Sequence, residues 1–69
     1  MNWTPDAYDR LERAIAERSR VQLWRKGSPL VLVPERIRLD FGTEVLTVRL
    51  AAGERMEFPL EEVDRFVVL

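Results

Sequence analysis

Two groups of residues in this 69-residue chain have the type and spacing to engage another molecule. The first is Tyr8, Asp9 and Glu12, a phenol and two carboxylates gathered on one helical segment. The second is Trp24, Arg25 and Lys26, with Arg36 and Arg38 further along. An aromatic platform among cations is how small barrels hold single-stranded nucleic acid, because bases stack on the ring while phosphates pair with the cations. The competing role for Trp24 is packing, since large aromatics are mostly buried. Asp9 and Glu12 likewise have an ordinary role on a solvated helix face.

Catalytic chemistry has little to work with. Cysteine and histidine are absent, which removes thiolate nucleophiles, imidazole acid/base work, disulfides and the common zinc sites. Ser19 and Ser28 would need a lysine or carboxylate as base, and Lys26 is the sole lysine. Glu61, Glu62 and Asp64 lack the spacing of a calcium loop and read as a solvated turn. The three glycines form no phosphate-cradling loop. The sequence therefore predicts a non-enzymatic module with no catalytic residue, metal ligand or cofactor.

A net charge of −1 conceals an uneven distribution. Residues 18–38 carry six bases against Glu35 alone, whereas residues 1–17 carry an excess of two acids and residues 39–69 an excess of four. Such asymmetry marks either a patch for a charged partner or strands that neutralise each other across a sheet, and cross-strand pairing is the simpler reading.

The elements that must position these side chains are one helix and a series of strands. Thr4 is a good N-cap, Pro5 suits the first helical position, and Asp6 complements the positive end of the dipole. Trp3 and Tyr8 occupy the positions of a hydrophobic staple. The helix is expected over residues 5–18, with Ala7, Tyr8, Leu11, Ala14 and Ile15 as its apolar stripe and Asp6/Arg10 and Asp9/Arg13 as i,i+4 pairs. Period-two alternation then predicts strands at about 20–26, 30–40, 44–50, 55–58 and 63–69, with Pro34-Glu35 interrupting the second ladder and a helical turn over 59–62.

One helix followed by five short strands in 69 residues predicts a single domain, 1–69, of mainly β (α+β) class: an N-terminal α-helix and a five-stranded SH3-like or Sm-like small β-barrel. Leu30 to Val33 and Phe66 to Leu69 are apolar on both faces, so the helix is expected to lie over their outer side. Apolar surface it leaves uncovered predicts a homodimer through Val67 to Leu69; otherwise the chain is a monomer. The first ten residues carry no secretory signal pattern, the longest apolar runs have four residues, and a cytoplasmic location away from membranes is expected.

The runs Asp6 to Ala14, Val21 to Gly27, Val45 to Glu54 and Phe58 to Val63 together resemble the Rho-binding antiterminator (Rof) family. The helix signature Asp-x-Tyr-Asp-x-Leu-Glu-x-Ala at residues 6–14 is the most specific part. The resemblance implies a Sm-like barrel behind a helix that inhibits the termination factor Rho by docking on its RNA-accepting surface. Asp9 and Glu12 match the acidic positions that face that basic surface, with Tyr8 beside them. Pro34 and Phe58-Pro59-Leu60 are similar to a second family, the WYL domain, which implies ligand or nucleic-acid sensing on the same architecture. The expected function is thus a regulatory binding module with a Rho-like protein partner. The alternatives are nucleic-acid binding through Trp24, Arg25, Lys26, Arg36 and Arg38, or a structural homodimer.

Overall fold

The computed structural model describes residues 1–69. Helix α1 (Pro5–Glu17) is followed by β1 (Val21–Arg25), β2 (Ser28–Asp40), β3 (Thr43–Leu50), β4 (Arg55–Pro59), a 3-10 turn (Leu60–Glu62) and β5 (Val63–Val68). The strands form one antiparallel sheet in the order β4-β3-β2-β1-β5. The protein is therefore mainly β with one N-terminal helix. The expected barrel does not close, because β4 and β5 are both edges and no ladder joins them. Side chains bridge that gap instead, as Phe58 of β4 and Val63 and Phe66 of β5 share one core with Val21, Leu23, Leu46 and Val48.

Helix α1 begins as its sequence dictates. The Thr4 hydroxyl accepts the Ala7 N–H at 3.2 Å, satisfying a backbone donor that has no partner within the helix. Trp3 meets Tyr8 edge-on at 6.4 Å, stacks on Phe66 at 5.7 Å, and donates its indole N–H to the Leu60 carbonyl at 3.1 Å. The helix ends at Arg18, whose left-handed backbone (φ 53°) lets the chain turn into β1.

Several expectations are corrected. The helix buries Ala7, Leu11 and Ala14, while Tyr8 and Ile15 remain half-buried, because small alanines allow close approach to the sheet. Leu11 and Ala14 belong to the same core as the inward residues of the sheet, so the helix fills its inner side and does not lie over the outer side of β2 and β5. Val31 and Val67 stay exposed as a result. The interruption at Pro34-Glu35 is a bulge within one 13-residue strand: pairing passes from Pro34↔Val48 to Arg36↔Thr47 and leaves Glu35 unpaired. No helix is long and apolar enough to cross a membrane.

Candidate functional site

The acidic candidates lie on the solvent side of α1. Asp9 and Glu12 are exposed and form no intramolecular ion pair. Asp6 pairs with Arg10 at 3.4 Å, but the expected Asp9/Arg13 pair does not form, since an exposed i,i+4 pair gains too little to hold two flexible side chains together. The Tyr8 hydroxyl donates to Glu44 Oε1 at 2.7 Å, tying the helix to the start of β3. That hydrogen bond, followed by burial and the negative charges of Glu44 and Glu12, pushes the Tyr8 pKa up to about 12. A neutral phenol thus sits between carboxylates from two elements, and the acidic surface reaches from the helix to Glu44.

The basic candidates have partners within the protein. Arg25 Nε donates to Glu62 Oε1 at 2.8 Å, and its guanidinium carbon lies 5.0 Å from the Phe58 ring centroid. Lys26 approaches the other Glu62 oxygen at 3.9 Å. Trp24 is half-buried and its ring is covered by Arg65, whose guanidinium carbon is 3.9 Å from the centroid. Arg38 binds both oxygens of Glu57 at 3.0 and 3.2 Å and lies 3.7 Å from Asp40. Arg36 alone is exposed without an ion pair, so the structure brings Trp24, Arg25 and Lys26 together but separates them from Arg36 and Arg38, which lie beyond the bulge. Glu61 is exposed, and Asp64 accepts the Gly27 N–H at 2.7 Å.

A second ion cluster occupies the bulge. Glu35 accepts from Arg49 Nε at 3.2 Å and from Arg55 Nε at 3.1 Å. Burial by itself would raise the Glu35 pKa, but the two guanidiniums outweigh it and hold the carboxyl below its ordinary value. The Thr47 hydroxyl, in a residue only 6% exposed, donates to Glu57 at 3.2 Å, and no buried side-chain polar atom lacks a partner.

No family model and no curated protein matches the chain. Sequence reasoning missed the partners: Glu44 for Tyr8, Glu62 for Arg25 and Lys26, Glu57 for Arg38, and Arg65 for Trp24. The opposite charge balances of residues 18–38 and 39–69 signal such pairing, but the individual pairs depend on the strand register.

Proposed function

We propose that this protein is a non-catalytic regulatory module that docks through Asp9 and Glu12 on a basic, RNA-accepting surface of a protein partner, in the manner of the Rho-binding family it resembles. The observation carrying this reading is that both carboxylates are exposed and unpaired, whereas Arg25, Lys26 and Arg38 of the rival nucleic-acid surface are engaged by the protein's own acids. Free carboxylates retain their full charge for a partner; paired cations must first give up a bond they already have.

Tyr8 and Glu44 extend the acidic face beyond a single helix row and fix the helix relative to β3. Charge complementarity of this kind supplies on-rate and orientation. Purified Rho ring, loaded with labelled RNA and titrated with this protein, tests the reading. Displacement of RNA that disappears in Asp9→Lys and Glu12→Lys supports it. Direct retention of RNA by the protein that survives Asp9→Lys but is lost in Trp24→Ala would refute it in favour of nucleic-acid binding.

A further inference from the structure

The β2–β3 hairpin outruns its neighbours. Pairing of β1 with β2 ends at Leu32 and pairing of β4 with β3 ends at Val45, while β2 and β3 remain paired to Asp40↔Thr43. The tip carries Phe41, fully exposed at 103%, beside Leu39 at 71%. Phe41 and Gly42 are both left-handed, with φ of 49° and 79°. That two-residue turn favours Asn, Asp or Gly at its first position, so a bulky apolar residue there breaks the local rule and gains no packing within the chain. Large apolar side chains displayed in this way mark contacts.

The opposite end of the same hairpin holds a matching hollow. Val31, Val33, Leu50 and Ala51 line a depression of about 430 Å³, with Arg20 and Arg49 completing its wall. The Phe41 ring is flanked in sequence by Asp40 and Glu44, opposite in sign to Arg20, which is exposed and forms no ion pair, whereas Arg49 is held by Glu35. Knob and hollow sit at the two ends of one hairpin and cannot meet within a molecule.

We propose that this protein associates head to tail with a second copy, the Phe41 ring of one entering the Val31–Leu50 hollow of the next while Asp40 and Glu44 face Arg20. The contact uses neither Asp9 nor Glu12; Glu44 borders both surfaces, and the variants that test the contact lie outside the Asp9/Glu12 face. Carboxylates beside the knob oppose insertion into an anionic membrane surface. A two-fold pairing of β5 edges would leave both the exposed Phe41 and the hollow unused, because neither lies on β5. A small heterologous contact is weak and leaves a free knob and a free hollow at the ends of each assembly.

Sedimentation of the purified chain from about 10 μM to about 1 mM, the range suited to a weak interface, tests this. The expected weight-average mass rises above 8.1 kDa with concentration. Phe41→Asp and Val31→Glu each return it to the monomer, and each weakens association by about tenfold or more, as loss of a central anchor does. Mixing the two variants restores one productive contact and produces a dimer that grows no further, because the remaining knob and hollow are both damaged. Arg20→Glu, at an exposed residue, is the second hollow variant should Val31→Glu fail to fold, and circular dichroism checks folding. A constant monomer mass overturns the proposal. So does association that survives Phe41→Asp, including one lost only in Val67→Lys, which would assign the contact to the β5 edge.

Discussion

Phe41 should cost this protein stability, and replacing it by asparagine should recover that cost. Its φ of 49° lies in the left-handed region, where a β-carbon approaches the following carbonyl and costs ~1–2 kcal/mol. Asparagine tolerates this conformation because its short amide hydrogen-bonds the local backbone. The ring is 103% exposed, so its removal forfeits no packing within the chain. The expected gain for Phe41→Asn is about 1 kcal/mol, or ~4–8 °C in Tm for a domain of this size. Phe41→Ala keeps the β-carbon and should change little. Phe41→Gly should recover only part of the gain, since glycine adds about 0.5–1 kcal/mol of unfolded-state entropy. Thermal and urea unfolding at low protein concentration, where association is negligible, reads all three. A Phe41→Asn variant no more stable than the parent would refute the reasoning, by showing that the ring makes a stabilising contact in the isolated molecule.

Leu11→Ala should lower stability by about 3 kcal/mol in urea unfolding, because Leu11 is fully buried where the helix meets the sheet; a loss below about 1 kcal/mol would mean that the helix is not seated on the core. The lone tyrosine makes its own titration legible by phenolate absorbance. Its folded pKa of about 12 lies above the ordinary 10.0, so the stabilisation associated with neutral Tyr8 is complete below pH 10 and is lost as pH rises through about 12. Glu44→Gln should bring the titration midpoint down, and a midpoint unchanged in that variant would contradict the Tyr8–Glu44 contact.

The helix was legible in local signals. Thr4, Pro5 and Asp6 specify its start, and the helix ends at Glu17 with Arg18 as its cap, one residue short of the expected limit. Alternation located the strands because side chains change face at every residue, and β2, expected at 30–40, runs Ser28–Asp40. The effect of Pro34 was only partly legible. A residue without an N–H predicts a break, yet a bulge that leaves Glu35 out of the pairing lets the ladder continue on both sides of it. Asp9 and Glu12 were legible as exposed acids because helical periodicity alone sets them apart from Leu11 and Ala14.

Which charges remained free was decided by tertiary structure. Arg25 and Glu62 are 37 residues apart and Arg38 and Glu57 are 19 apart, so their pairing depends on how strands align and not on local spacing. The side of the sheet the helix covers belongs to the same class: an amphipathic stripe states that a face must be buried, but close approach of Ala7 and Ala14 selects the inner side. Sequence by itself determined element type, order and the acidic helix face, because these follow from neighbours a few residues apart. The open edge between β4 and β5, the neutralised arginines and the projecting Phe41 arose only when distant segments met, since each depends on register and packing across the chain.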